Sequence, residues 1–244
     1  MYYQVQNGFP NQQRITDAIA DWEAKTPIRF VPRTNQNNYV FFRTGGGCSS
    51  FVGRQGGRQD ITLAGGCPTG AVIHEIGHAV GLWHEQSRKD RDQYITINFG
   101  NIQNGLEFNF ETYLQQGIDG DEFTNELDFN SIMLYSSFAF SKNGLPTIVK
   151  KDGSTYTTNR TSLSNGDVEG IQKMYSGDGP GGDICDGVAE WSPNQSYQPG
   201  DRVTYFGNLF ERTTNGWNFI GSCGTSNTKS SDTDFKDLND VDLG

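Results

Sequence analysis

The feature that most limits how this chain can fold is the crowding of its histidines. The 244 residues contain three, and all fall within eleven positions: His74, His78 and His84. His74 and His78 are four apart, so on an α-helix their rings lie one above the other and can share one ion. His84 cannot join them if the helix continues. Ten residues at about 1.5 Å rise would carry it about 15 Å along the axis, whereas a zinc–nitrogen bond is about 2.0–2.1 Å. The chain must therefore turn sharply between His78 and His84. Gly81 is the residue that permits it, because glycine reaches positive φ without steric cost. Val72, Ile76, Val80 and Trp83 form a separate apolar stripe, expected to anchor this helix in a core.

Three imidazoles around one ion leave a coordination position open, the mark of a catalytic rather than a structural zinc site. Glu75 points about 100° around the helix from His74, outside the ligand set but able to reach a water at the open position as general base. A bare His-x-x-x-His pair is usually coincidence. The glycine and the third histidine at these offsets, with no other histidine in the chain, argue against chance.

Around this helix the chain reads as α+β. Residues 11–25 give an amphipathic helix with Ile15, Ala18, Ile19 and Trp22 on one face and Pro27 just past its end. Residues 28–31, 39–43 and 60–64 read as strands, and Gly65 and Gly66 turn the chain into the helix beginning near Thr69. From 98 to 165 the pattern is mostly loop and short helix, and 166–175 reads as a closing helix with Val168, Ile171 and Met174 inward. The Gly/Pro-rich stretch 177–183 cannot pack and reads as a linker. Beyond it, turn residues (Pro193, Pro199, Gly200, Gly207, Asn208, Asn215, Gly216) recur between short aromatic runs, the pattern of a small all-β module. The expected organisation is a domain over 1–176, a linker over 177–183 and a module over 184–244. The last stretch, 230–244, with five acidic residues and one lysine, reads as a disordered tail.

The formal net charge of −10 excludes a nucleic-acid partner as the working expectation. The charge is uneven: residues 1–176 carry 15 basic and 18 acidic side chains, residues 177–244 carry 4 and 11. No apolar run approaches the roughly 20 residues that cross a bilayer, so no membrane partner is expected. The four cysteines form two local pairs, Cys48 with Cys67 and Cys185 with Cys223, without the Cys-x-x-Cys spacing of a structural zinc site. Two disulfides and an oxidising compartment follow from that reading. The first residues have neither the basic start nor the apolar stretch of a signal peptide. The expectation is a secreted protein whose leader is absent from this sequence.

The extended string His74-Glu75-x-x-His78-x-x-Gly81-x-x-His84 is the metzincin signature, and the Glu85 that follows resembles the astacin family. Ser131, Ile132, Met133, Leu134 and Tyr135 resemble the Met-turn of the same clan, with Met133 as the turn methionine. Residues 23–34 and 88–98 also look like astacin segments, so the resemblance covers roughly 1–176. It implies a metzincin-type catalytic domain, a twisted mixed sheet plus active-site helix with zinc in the cleft. It implies one Zn2+ per chain held by His74, His78 and His84, with Tyr135 as a fifth ligand at rest that swings away to stabilise the oxyanion. The implied activity is that of an endopeptidase on protein or peptide substrates, with Glu75 as general base. Cys48 and Cys67 match one of the family's two disulfides.

The chain departs from the family at three points. Pro27 stands where a cysteine of the second family disulfide usually lies, and Leu134 replaces a common histidine. The chain also starts near the family's first strand, whereas in astacins the mature N-terminus interacts with the glutamate matching Glu85; the partner of Glu85 stays open. Lys150 and Lys151 lie in the 136–152 stretch expected along the lower cleft rim. They either favour acidic side chains after the scissile bond or are solvated surface.

Trp191, Tyr197, Tyr205, Phe206, Phe210, Trp217 and Phe219 sit in a stretch bracketed by Cys185 and Cys223 that resembles small chitin-binding modules. The resemblance implies chitin or another polysaccharide as a second partner, with Trp191 and Trp217 as candidates for stacking on sugar rings and most of the rest as core. The alternative for the whole chain is a catalytically inactive carbohydrate-binding or adhesion protein that retains a zinc site. A glycosidase has no paired-carboxylate motif to support it.

Overall fold

Period-two alternation in short segments up to Leu63 builds a sheet, and 3.6-residue spacing over 13–25 and 69–80 builds two helices. The computed structural model describes residues 1–118, 120–175, 185, 188–193, 195–205 and 207–223. In chain order it gives β1 (Tyr2–Val5), α1 (Gln13–Lys25), β2 (Val31–Pro32), β3 (Tyr39–Thr44), β4 (Cys48–Ser49), β5 (Arg58–Leu63) and α2 (Thr69–Val80). The sheet runs β2-β1-β3-β5-β4, parallel except for β4, which pairs antiparallel with β5 at its edge. This is the mixed α+β arrangement expected.

Val40 and Phe42 of β3 and Ile61 and Leu63 of β5 alternate into one buried cluster. They meet Ile15, Ala18 and Trp22 of α1 and Val72, Ile73, Ile76 and Val80 of α2. Trp22 is fully buried, and its indole N–H donates to the Ile73 carbonyl at 3.2 Å, so one side chain ties both helices together. A disulfide joins Cys48 on the edge strand to Cys67 just ahead of α2.

Three local expectations need correction. Residues 28–30 do not pair as a strand, because their amides are taken by the end of α1. Ile28 N–H donates to Thr26 Oγ1 at 3.2 Å and Phe30 N–H to Glu23 Oε1 at 2.8 Å, leaving only Val31–Pro32 on the sheet. Trp83 is half-exposed rather than core: α2 ends at Val80, and Ile73 fills the buried stripe instead. The stretch 98–165 is mostly loop with short helical turns at 99–101 and 107–110, as expected, to which is added β7 (Ile148–Lys150), paired antiparallel with β6 (Ile95–Ile97), strands too short for alternation to reveal. In α3 (Asn165–Tyr175) the buried face is Asp167, Gly170 and Ile171, while Met174 is half-exposed.

A second buried cluster forms around β6 and β7 from Ile95, Ile102, Phe110, Leu127, Leu134 and Ile148. The chain divides into two compact units, Met1–Gln172 and Lys173–Gly244. The second contains an antiparallel meander of β8 (Arg202–Tyr205), β9 (Asn208–Thr213) and β10 (Gly216–Ser222), with Val203 and Leu209 buried and a Cys185–Cys223 disulfide. The expected linker 177–183, Phe206 and the tail 230–244 lie outside the described residues. Among the described residues no helix is long and apolar enough to cross a membrane.

Candidate metal centre

The helix α2 carries His74 and His78 one turn apart and then stops at Gly81. That residue has φ +114° and ψ 0°, a left-handed cap whose N–H returns to the carbonyls of Gly77 and His78. The reversal brings His84 back to the other two. His78 Nε2 lies 3.2 Å from His84 Nε2, and His84 Nε2 lies 3.3 Å from His74 Nε2. Nitrogens bound tetrahedrally at about 2.05 Å to one ion stand about 3.3 Å apart.

The opposite ring nitrogens fix the tautomer. His74 Nδ1 donates to the Ile132 carbonyl and His78 Nδ1 to the Leu82 carbonyl, each at 2.8 Å, so both lone pairs sit on Nε2 and face the common point. Burial keeps all three rings neutral: it drives His74 down to about 3, lowers His78 and takes His84 well below its usual value. Three neutral imidazoles with converging lone pairs repel one another unless a cation joins them. They can hold one zinc ion, and they form the one His, Cys, Asp and Glu cluster of metal-binding geometry among the described residues.

Glu75 is 5% exposed, and its carboxylate has no hydrogen bond or ion pair among the described residues. Burial pushes it up to about 7; a bound dication acts in the opposite direction. Tyr135 stacks against His84 with ring centroids 4.4 Å apart and also meets Phe110 and Phe140. Burial first, and then the nearby Glu75 charge, raise its hydroxyl to about 12, so it stays protonated as a donor. Glu75 and Tyr135 are thus brought to the same site as the three histidines.

Met133 is buried beneath α2, its Sδ against the place where Gly77 has no side chain. The turn that carries it is held by groups the sequence reading missed. Asp167 accepts from Ser131 Oγ at 2.6 Å and from the Ile132 N–H at 3.0 Å. Arg160 donates to the carbonyls of Ile132 and Leu134, both at 2.8 Å. The partner of Glu85 is internal: its Oε1 accepts from the Asp128 N–H at 2.8 Å and lies 3.6 Å from Arg88 Nη1. Burial raises Glu85 to about 7 in spite of these contacts. Lys150 places its ammonium 4.8 Å from the Phe129 ring centroid, and Lys151 Nζ donates to Thr96 Oγ1 at 3.4 Å. In the second unit, Trp191 packs edge-on to Tyr205 and Trp217 edge-on to Tyr197, with Arg212 over the Trp217 ring; both indoles are half-exposed.

Known proteins share this arrangement. The family profile described as Astacin, a family of peptidases, matches residues 1–176. Zinc metalloproteinase nas-14 of Caenorhabditis elegans is 39% identical over 180 residues, covering 71% of this chain and 35% of its own length. Blastula protease 10 of Paracentrotus lividus is 40% identical over 175 residues, covering 67% of this chain and 29% of its own. The chain therefore spans about a third of the length of these curated relatives. Among solved structures, high choriolytic enzyme 1, a hatching-enzyme zinc protease of Oryzias latipes, superposes with a TM-score of 0.65 at 32% identity, covering 70% of this chain and 86% of that one. With the histidine triad, the mixed sheet and a profile match over residues 1–176, this chain belongs to the astacin family, a zinc-dependent peptidase family.

Proposed function

We propose that this chain is a secreted zinc endopeptidase that hydrolyses peptide bonds of protein substrates. The observation that carries the reading is the converging Nε2 triad beside an unpartnered, buried Glu75 and the hydroxyl of Tyr135. Zinc at His74, His78 and His84 supplies Lewis acidity, which acidifies water and polarises a carbonyl. Glu75 takes the proton of the attacking water and returns it to the leaving amine. Tyr135 donates its O–H to the oxygen that becomes negative in the transition state. At rest it would also help the three histidines hold the metal. Two disulfides favour an oxidising, extracellular setting.

The test is casein hydrolysis with zinc content measured in parallel. Activity should vanish with a chelator and return with zinc. Full zinc with no hydrolysis would favour the alternative of an inactive binding protein.

The organisation belonging to this reading is a protease domain over 1–176, a linker over 177–183 and an accessory module over 184–244. The module binds chitin or another polysaccharide through Trp191 and Trp217, whose half-exposed rings favour a sugar-stacking surface. Retention on chitin beads should fall when either Trp191 or Trp217 becomes alanine. Wild-type protein that ignores chitin, cellulose and other insoluble polysaccharides would leave these rings as packing alone.

A further inference from the structure

Tyr135 is held in an unequal way. Its hydroxyl makes no hydrogen bond among the described residues, and its ring packs against the rings of His84, Phe110 and Phe140. Its main chain, by contrast, is gripped at both polar atoms by side chains. The Tyr135 N–H donates to Gln86 Oε1 at 3.1 Å, and the Tyr135 carbonyl accepts from the Tyr156 hydroxyl at 2.7 Å.

Each gripping residue is also tied through its main chain, and the Gln86 side-chain Nε2 has no further partner among the described residues. Gln86 is fully buried, and its own carbonyl accepts from Arg91 Nη1 at 2.8 Å. The Tyr156 N–H donates to Ser137 Oγ at 3.1 Å, and its ring packs on Phe129 with centroids 5.3 Å apart. One residue back, Arg160 holds the Leu134 carbonyl.

We propose that Gln86 and Tyr156 are positioning residues that pin the main chain of Tyr135 as a fixed pivot. The ring can then turn about its side-chain bonds while the turn under the histidines stays in place. This rests on the reading of Tyr135 as the oxyanion donor and deepens it. A hydroxyl that serves as donor only in the transition state must arrive within a few tenths of an ångström of its target. With no hydrogen bond of its own to orient it, the hydroxyl takes its aim from the backbone atom at which its side chain begins. Gln86 lies on the histidine side and Tyr156 far along the chain, so the pivot is tied from two directions.

A double-mutant cycle in the full chain tests the idea, with Tyr156→Phe removing one hydroxyl and little volume. Tyr156→Phe should lower kcat on a quenched fluorescent peptide about tenfold, the size of one lost side-chain hydrogen bond, with KM and zinc content unchanged. In a Tyr135→Phe background the same change should have no further effect on kcat, because the group being aimed is gone. A general loosening of the fold would instead act equally in both backgrounds, and that result overturns the proposal. An unchanged kcat in the single variant overturns it too. If Tyr135→Phe by itself leaves kcat intact, the oxyanion reading falls and the pivot with it, so the two failures are told apart by which variant is silent.

Discussion

The two walls of the metal centre are built on different physical terms. On one, α2 presents His74, Glu75 and His78 from consecutive hydrogen-bonded turns, and Val72, Ile73, Ile76 and Val80 seat it in the core. On the other, residues 131–135 have no regular structure, and the polar backbone atoms of Ile132, Leu134 and Tyr135 draw on distant side chains, Asp167, Arg160, Gln86 and Tyr156, while nearby backbone and Ser131 Oγ satisfy others. A helix carries its own hydrogen-bond partners wherever it goes, whereas a buried turn must borrow them. The first wall therefore depends on local sequence and core burial, and the second on a set of long-range contacts.

The sharpest way to separate the walls is to remove one acting group from each. Glu75→Gln on the helix wall should lower kcat on a peptide substrate by about 10²–10⁴-fold, the span expected for a lost general base. Zinc, measured by mass spectrometry, should stay at one per chain, because Glu75 is not among the converging ligands. Loss of the metal would make Glu75 part of the cradle instead. Tyr135→Phe on the turn wall should lower kcat by about 10²–10³-fold, the usual effect of losing one oxyanion donor, and leave zinc affinity nearly unchanged. An unaltered kcat would leave the turn wall with scaffolding alone.

The same contrast explains what the sequence revealed. The helix wall was legible because its spacing is its geometry: a step of four from His74 to His78, and Gly81 where the axis must end. The core face of α1 was legible for the same reason, and β3 and β5 were legible as strands from their aromatic and β-branched composition. The turn wall became legible only by resemblance, through Met133 and Tyr135. Nothing in the spacing of Arg160 or Asp167 marks them, since they bond to backbone atoms of this turn some 26 to 35 residues away. Residues 28–30 misled for a related reason. Their composition suits a strand, but Glu23 and Thr26 claim two of their amides. Trp83 fits the stripe by spacing, but it lies beyond the left-handed Gly81 cap, where helical spacing no longer sets which way a side chain faces.

If the turn wall depends on borrowed partners, removing one lender should cost far more than its small volume suggests. Asp167→Ala strips a buried acceptor from Ser131 Oγ and from the N–H groups of Ile132 and Ser164. Leaving those donors unpaired costs about 3 kcal/mol, or a fall in Tm of about 6–12 °C for a chain this long. Calorimetry on the zinc-loaded protein reads this directly. A shift under about 2 °C would show that the turn holds its shape without Asp167, and the contrast between the walls would fail.

The smallest effect should appear where the walls touch, and its sign carries the information. Gly77 has ordinary helical backbone, so alanine there gains about 0.5–1 kcal/mol from helix propensity alone. Its new Cβ, however, would stand 2.7 Å from Met133 Sδ and 3.3 Å from Met133 Cε. Met133 is 1% exposed, so the thioether can bend aside only by crowding the core, at a cost of about 1–3 kcal/mol. Crowding wins, and Gly77→Ala should lower stability by about 1 kcal/mol, seen as a Tm drop of about 2–4 °C. Trimming the other wall should reverse the sign. In a Met133→Ala background the obstacle is gone and only helix propensity remains, so Gly77→Ala should then stabilise that variant by about 0.5–1 kcal/mol. The difference between the two backgrounds measures the contact between helix and turn free of either side's own preference. Gly77→Ala acting alike in both would mean that Met133 does not couple the walls, which are then joined by the His74 Nδ1 bond to the Ile132 carbonyl and by the metal.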